Sequence, residues 1–194
     1  MPARCAARDG CGTLKHVTTA PGFALFDTAI GRCGMVWNHR GITGVQLPGA
    51  RVAETRAALR RAWPGVREAP APPPVQRAID NIASLLRGDG DDLSSIPLDM
   101  SGIPPFYRRV YEFARTIPPG TTLSYGEVAK RLRAPRSARA VGQALARNPF
   151  AIIVPCHRVL AAGGKIGGFT APGGAGTKRR LLEIEGVRRG LAVF

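Results

Sequence analysis

A cysteine beside a histidine is the part of this sequence best suited to chemistry. Cys156 and His157 lie in the run Pro-Cys-His-Arg-Val at 155–159, which places an imidazole and a guanidinium next to the thiol. Positive neighbours lower a thiol pKa and populate the thiolate, the nucleophilic form of cysteine. A buried structural cysteine with a histidine neighbour would give the same pair, and for an isolated pair that interpretation is the commoner one. The pair alone leaves both interpretations open.

The residues before the pair predict how it is placed. The run Ala-Ile-Ile-Val at 151–154 is continuously apolar, which predicts a buried strand leading to Cys156. Because neighbouring strand residues point to opposite faces, His157 would not contact the Cys156 sulfur directly. We expect a bridging water to carry the thiol proton to the imidazole and a carboxylate to hold the other ring nitrogen.

Two short helices are predicted before this strand. Ser124 and Glu127 have the spacing of a capping box, which marks a helix start. A break at 134–136 separates that helix from a second one over about 137–147, which Asn148-Pro149 ends. Two helices joined by a tight turn are typical of a helix-turn-helix, whose second helix enters a DNA groove. Many helical hairpins bind no nucleic acid, so the pattern alone is weak support.

The charge distribution favours the same kind of partner. The net charge is +15, of which residues 1–100 contribute +3 and residues 101–194 contribute +12. Lysines and arginines release counterions from a phosphate backbone when they bind it. A solvated basic surface would give the same count, so the charge alone does not decide between DNA and solvent.

The first hundred residues predict a small α/β unit. Its short apolar runs are separated by glycine-bearing turns, which favours a meander of strands, and helical spacing follows. The predicted elements are strands over 23–26, 33–37 and 42–47, a helix over 52–63, an Ala/Pro connector over 69–74, a helix over 75–86 and one more strand over 93–100. A further helix is expected over 106–117. We divide the chain into a leader (1–20), an N-terminal domain (21–100) and a C-terminal domain (101–194).

Composition excludes several classes of protein. A chain of 194 residues, 44% of them hydrophobic, is long enough to bury a core. No stretch reaches the roughly 18 apolar residues of a membrane span, and the start lacks the apolar core of a secretory signal. We expect a cytoplasmic protein with free thiols and no membrane partner. The spacing of Cys5, Cys11, His16, Cys33 and His39 matches no common zinc pattern, so we expect no metal and no other cofactor.

With these elements in order, residues 103–186 resemble the catalytic domain of the O6-alkylguanine-DNA alkyltransferases, also called methylated-DNA–protein-cysteine methyltransferases. The matching stretches are 122–129, 137–142, Asn148-Pro149, 153–159, 167–169 and 181–186. The Pro-Cys-His-Arg-Val block after a helix-turn-helix and Asn-Pro is highly specific. The resemblance implies an α/β, ribonuclease-H-like N-terminal domain with a small antiparallel sheet, followed by a mostly α, winged-helix-like helix-turn-helix catalytic domain.

The resemblance also implies a reaction. Family members repair DNA by moving the alkyl group of O6-alkylguanine, and less readily of O4-methylthymine, onto their own cysteine in one irreversible SN2 transfer. The partner is double-stranded DNA, and the nucleotide is flipped out of the duplex at a cost of a few kcal/mol. We expect a monomer, since the sequence does not indicate an oligomer. Cys156 is then the single-use acceptor.

Individual roles carry over by position. His157 would take the thiol proton through water, Glu185 would orient His157, and Asn148 would be the hinge before the active-site segment. Tyr125 would assist nucleotide rotation and donate a proton to guanine, and Arg139 would be the finger that fills the space left by the base. Further DNA-contacting positions are Ser124, Arg136, Ala138 and Gly142, and the pocket positions are Pro155, Val159, Phe169, Thr170 and Lys178.

Some alternatives stay open. The pocket loop over 163–176 is about two residues longer than in well-known members of the family. Lys178 could equally be a solvated charge at the start of the last helix. A lesion sensor without alkyl transfer shares the scaffold but replaces the reactive cysteine. A Cys-His hydrolase would need an oxyanion hole, for which the sequence offers no support. A second, regulatory function is a further alternative.

Overall fold

The computed structural model describes residues 20–89 and 93–187. The predicted leader, with Cys5, Cys11 and His16, lies outside the described residues apart from Ala20. The elements are, in order, β1 (Gly22–Thr28), β2 (Gly31–Asn38), β3 (Gly41–Gln46), α1 (Val52–Ala62), α2 (Pro73–Arg87), α3 (Pro105–Arg115), β4 (Leu123–Ser124), α4 (Tyr125–Arg131), α5 (Ala138–Ala146), β5 (Val159–Leu160) and α6 (Gly174–Ile184). Single 3-10 turns lie at Cys156–Arg158 and Ala162–Gly164.

The predicted meander is confirmed. Strands β1, β2 and β3 form an antiparallel sheet in sequence order. Alternate side chains of β2 point to opposite faces, so Val36 packs with Leu59 of α1 while Met35 and Trp37 pack with α2. Both predicted helices are present, and the sheet is therefore covered on both faces.

Gly44 of β3 has no room for a larger side chain, because the Trp63 ring packs against it. A Cβ built on Gly44 would lie 2.0 Å from Cζ2 of Trp63, which is a rigid indole with little room to move. We expect Gly44→Ala to lower the free energy of unfolding by about 2 kcal/mol, because overpacking forces side chains and backbone to shift. Urea denaturation monitored by circular dichroism would measure this loss.

Gly102→Ala is the matched control for that experiment. A Cβ on Gly102 would meet no heavy atom within 4 Å. Its free energy of unfolding should stay within about 0.5 kcal/mol of the parent value. Equal effects of the two substitutions would contradict the steric argument.

One boundary and one predicted strand of the N-terminal half differ from the prediction. Helix α2 begins at Pro73, which shortens the predicted connector, because proline is well tolerated in the first helical turn where its missing N–H costs nothing. The predicted strand over 93–100 is wrong. Only an isolated bridge joins Leu98 to Ile42, since residues 94–96 turn and Pro97 has no N–H to donate to a ladder.

The predicted strand over 151–154 is also wrong. These residues form a tight turn in which the Val154 N–H donates to the Phe150 carbonyl at 2.8 Å and Ile152 has a φ of 73°. The run is apolar because it is buried on several sides: Ile152 and Ile153 pack into the core of the N-terminal half, and Val154 packs into the core around α3 to α5. Cys156 therefore begins a 3-10 turn and does not end a strand.

The predicted C-terminal helices are confirmed. The capping box is complete, since the Glu127 N–H donates to Ser124 Oγ at 3.2 Å and the Ser124 N–H donates to a Glu127 carboxylate oxygen at 2.6 Å. Parallel pairing of β4 with β5 then sets Ser124 beside Leu160. The start of α4 is thereby held next to the chain that leaves the Cys156 turn.

Backbone and side-chain contacts join the two halves. The Val45 N–H of β3 donates to the Pro149 carbonyl at 2.8 Å. From α3, Arg115 Nη2 donates to the carbonyls of Leu93 at 3.1 Å and Ile96 at 2.9 Å. The segment that carries Cys156 is thus anchored on the N-terminal sheet.

Candidate active site

Cys156 lies in a small cavity between the helix-turn-helix and the loop before α6. The cavity has a volume of about 150 Å³, and the Cys156 residue is 9% exposed. Its lining residues come from α4, α5, the 3-10 turn and the loop, and they are Tyr125, Gly142, Leu145, Ala146, Cys156, Gly168, Phe169 and Thr170. The thiol is therefore reachable only by a group that enters this cavity.

The surroundings of the thiol act in opposite directions on its acidity. Burial raises the pKa of Cys156, while a hydrogen bond with Asn148 and the positive charge of Lys178 lower it. The net direction is upward. A reaction at this sulfur consequently needs a group that accepts its proton.

Cys33 contrasts with it. Cys33 lies on β2 with no exposed surface, and burial raises its pKa to about 11 despite a contact with Thr28 Oγ1 at 3.6 Å. Such a thiol is a structural residue and not a nucleophile. Of the two cysteines in the described part of the chain, Cys156 is the one that faces a cavity.

His157 has the geometry of a proton acceptor. Its Nε2 lies 2.9 Å from Glu185 Oε1, and both side chains are almost fully buried. Burial lowers the pKa of His157, and Glu185 opposes this shift without reversing it, so the imidazole is neutral near pH 7. With the proton on Nε2 shared with Glu185, the lone pair is on Nδ1, which is buried and has no hydrogen-bond partner within the described residues.

Glu185 caps the C-terminal end of α6 and is held by two side chains. Besides His157, Arg158 donates to it through Nη2 at 2.7 Å and Nε at 2.9 Å. Burial alone would raise the pKa of Glu185, but the hydrogen bonds from His157 and Arg158 outweigh it and lower the pKa to about 2. The carboxylate is charged throughout the physiological range.

Asn148 fixes the turn that leads to the cysteine. It follows α5, its Nδ2 donates to the Val154 carbonyl at 2.9 Å, and its Oδ1 accepts from the Phe150 N–H at 2.9 Å. These two bonds bracket the 150–154 turn. The predicted hinge residue therefore lies between the second helix of the helix-turn-helix and Cys156.

The interpretation of Lys178 as a solvated charge is wrong. Lys178 is 1% exposed, and its Nζ donates to the Val159 carbonyl at 2.6 Å and lies 5.8 Å from the centre of the Tyr125 ring. Burial lowers its pKa to about 8, although Cys156 acts in the opposite direction. The sequence carried a signal for this burial, because Lys178 lies three and four residues before Leu181 and Leu182, on the apolar face of α6.

The remaining predicted residues separate into three groups. The cavity is lined by four of them, Tyr125, Gly142, Phe169 and Thr170. Ser124 caps the helix that begins at Tyr125. Arg136 and Arg139 are exposed at the turn and the start of α5, beside the half-buried Ala138. Pro155 and Val159 are buried behind the cavity and do not line it, and the loop predicted over 163–176 ends where α6 begins at Gly174.

Two features of Tyr125 and Thr170 bear on the cavity. Burial, and then the nearby Cys156, raise the pKa of Tyr125, so its phenol keeps its proton at neutral pH. Thr170 Oγ1 donates to the Ala146 carbonyl at 2.9 Å and ties the loop to the end of α5. The cavity thus has a proton donor in one wall and, in another, a loop that is hydrogen-bonded to the end of α5.

Neither a metal site nor a membrane span is found in the described part of the chain. No three or more of its His, Cys, Asp and Glu side chains come together to hold a metal ion, and Cys33 is buried while His39 is exposed. None of its helices combines the length and apolarity that crossing a bilayer requires.

Comparison with known proteins places the chain in a family. Residues 105–187 match the model described as 6-O-methylguanine DNA methyltransferase, DNA binding domain. The chain is 36% identical to the methylated-DNA–protein-cysteine methyltransferase of Methanothermobacter thermautotrophicus over 79% of each chain, and 36% identical to the protein of that name from Mycobacterium tuberculosis over 84% of this chain and 91% of the relative. Its fold is similar to Mycobacterium tuberculosis OGT, crystallised in complex with DNA, with a TM-score of 0.69, 34% identity and coverage of 84% of this chain and 92% of that one. The chain belongs to the methylated-DNA–protein-cysteine methyltransferase family.

Proposed function

We propose that this protein repairs DNA by moving the alkyl group from O6 of guanine, and less readily from O4 of thymine, onto Cys156 Sγ in a single irreversible turnover. The observation that carries the proposal is the position of Cys156 in a small cavity beside His157, whose Nε2 is held by Glu185 at 2.9 Å. The names of the relatives support the same activity.

The transfer divides into proton steps and one substitution. The Cys156 proton passes through a bridging water to His157 Nδ1, and the thiolate attacks the alkyl carbon as the C–O bond breaks. Tyr125 donates a proton to the departing guanine and recovers one from the imidazolium through solvent. The product is a thioether, which no group in the site can cleave, so each chain reacts once.

The lesion has to leave the duplex to reach the sulfur. Cys156 is buried at the cavity, and a base inside a stacked helix could not reach it, so the nucleotide is flipped at a cost of a few kcal/mol. Arg139 is exposed at the start of α5, where it would enter the stack in place of the base. Contacts to the DNA would come from the same face, through Ser124, Arg136, Ala138 and Gly142.

The size of the cavity favours small alkyl groups. Its volume of about 150 Å³ is well below that of pockets for drug-sized ligands, which start at about 300 Å³. A guanine with a methyl group suits such a space better than one with a large substituent. The proposal needs no cofactor, involves one protein chain per lesion, and places the protein with DNA in the reducing cytoplasm.

Intact mass spectrometry tests the proposal. After incubation with a duplex that carries one O6-methylguanine, the protein should gain about 14 Da, saturate at one methyl group per chain, and carry it on Cys156 in a peptide map. The same duplex with guanine is the control and should leave the mass unchanged. Tight lesion binding without a mass gain would instead indicate a sensor, and turnover of a chromogenic ester would indicate a hydrolase.

A further inference from the structure

The Glu185 carboxylate accepts hydrogen bonds from two side chains, His157 and Arg158. Oε1 accepts from His157 Nε2 at 2.9 Å and from Arg158 Nη2 at 2.7 Å, and Oε2 accepts from Arg158 Nε at 2.9 Å. The side chains of His157, Arg158 and Glu185 are 1%, 7% and 2% exposed. At this depth water screens their charges weakly, so the arginine strongly affects what the carboxylate does to the imidazole.

Arg158 is itself held from the opposite side. Its Nη1 donates to the carbonyl of Ile117, just beyond the end of α3. The guanidinium therefore connects the end of α3, the Cys156 turn and the end of α6. Only a planar, forked donor can make this set of bonds, since a lysine offers a single point charge.

A Glu185 carboxylate that accepted a hydrogen bond from His157 alone would raise the His157 pKa much more. A buried negative charge at hydrogen-bond distance strongly favours the protonated imidazole. An imidazole already protonated at rest cannot accept the Cys156 proton. The bidentate bond with Arg158 removes much of that bias while it leaves Glu185 in place to orient the ring.

We propose that Arg158 is a positioning residue of the transfer reaction, which fixes Glu185 for His157 and neutralises enough of its charge to keep the imidazole free to accept the thiol proton. This inference rests on the proposed function. Arg158 does not touch the cavity, and it acts through Glu185.

Several charged or titratable groups surround the His157 imidazole and affect its pKa. Cys156 and Arg158 lie on its own turn, and Lys178 and Glu185 come from α6. Burial, Arg158 and Lys178 lower the pKa of His157, and Glu185 raises it. Removal of Arg158 should therefore raise that pKa, and the rise should be smaller where Glu185 is absent, because only the direct repulsion between Arg158 and His157 is then lost.

The test compares Arg158→Met, Glu185→Gln, Arg158→Met/Glu185→Gln and the parent. NMR titration of the His157 imidazole should show a pKa about one unit higher in Arg158→Met than in the parent, and a smaller rise in the double variant over Glu185→Gln. The acid limb of the single-turnover methyl-transfer rate should move to higher pH by the same amount in Arg158→Met, with a plateau about tenfold lower. Arg180→Met, which removes an exposed arginine of α6, is the matched control and should leave the titration unchanged.

Arg158→Lys keeps the test decisive if the methionine variant does not fold. It retains the charge but not the fork, so the acid limb should stay where it is in the parent while the plateau falls several-fold. The proposal is overturned if Arg158→Met leaves the His157 pKa unchanged, if the double variant shows the same rise over Glu185→Gln, or if Arg158→Lys transfers at the parent rate. Failure of the parent to transfer methyl groups would refute the proposed function, while the NMR titration would still report on Arg158.

Discussion

Replacement of Cys156 by serine should reduce methyl transfer by at least about 1,000-fold and leave affinity for lesion DNA within a few-fold of the parent. A serine hydroxyl is far less acidic than a thiol, and the neutral His157 is too weak a base to ionise it at rest. Binding should survive because the hydroxyl fits the same small space beside Asn148. Single-turnover transfer from a duplex with O6-methylguanine, and fluorescence anisotropy with the same duplex, would measure the two quantities.

Cys33→Ala provides the matched control. Cys33 is the other cysteine in the described part of the chain, and it lies buried in β2 away from the cavity. Its removal should cost some stability but leave the transfer rate near that of the parent. Methyl transfer by Cys156→Ser, or its loss in Cys33→Ala, would show that the acceptor had been misassigned.

Elements with local signals could be predicted from the sequence. The capping box at Ser124 depends on residues three apart, and the glycine turns between the first three strands are equally local. The 151–154 turn could not be predicted in this way, because its apolar character comes from contacts with both cores. An apolar run has the same composition whether it is extended or folded back, and distant residues decide which it is.

The site likewise contains residues that could be inferred from local sequence and residues that could not. Cys156 and His157 are neighbours in the chain, so their chemistry could be inferred directly. Glu185 lies 28 residues beyond His157 and could be assigned only through the family resemblance. The Arg158–Glu185 bond was not predicted, because it arises from the packing of α6 on the Cys156 turn, and for Lys178 the sequence left a pocket position and a solvated charge as alternatives.

The packing of α6 on the Cys156 turn buries several charged side chains close together. Arg158, Lys178, His157 and Glu185 are all buried near the Cys156 thiol, and Glu185 is the carboxylate that pairs with both Arg158 and His157. Uncompensated buried charge is among the costliest defects a protein can have. The stability of the catalytic half should therefore depend on Glu185 as much as its chemistry does.

Glu185→Gln should lower the free energy of unfolding at pH 7 by about 3–5 kcal/mol, because it leaves the Arg158 guanidinium buried without its counter-charge. The loss should itself depend on pH. The Glu185 pKa is lowered from 4.5 to about 2 in the folded protein, so its stabilising contribution is complete above about pH 4.5 and disappears as the pH falls towards 2. This shift corresponds to about 3 kcal/mol, which the parent loses across that window and the variant does not.

Urea denaturation at a series of pH values from 7 to 2 measures this difference. The gap between parent and Glu185→Gln should be widest above pH 4.5 and should close towards pH 2. His157 is buried with a lowered pKa, so it adds a separate loss of stability below about pH 6.5 in both proteins. Glu183→Gln, on the exposed face of the same helix, should stay within about 0.5 kcal/mol of the parent throughout. A gap that stays constant with pH would mean that Glu185 stabilises the fold by its shape and hydrogen bonds, and not by its charge.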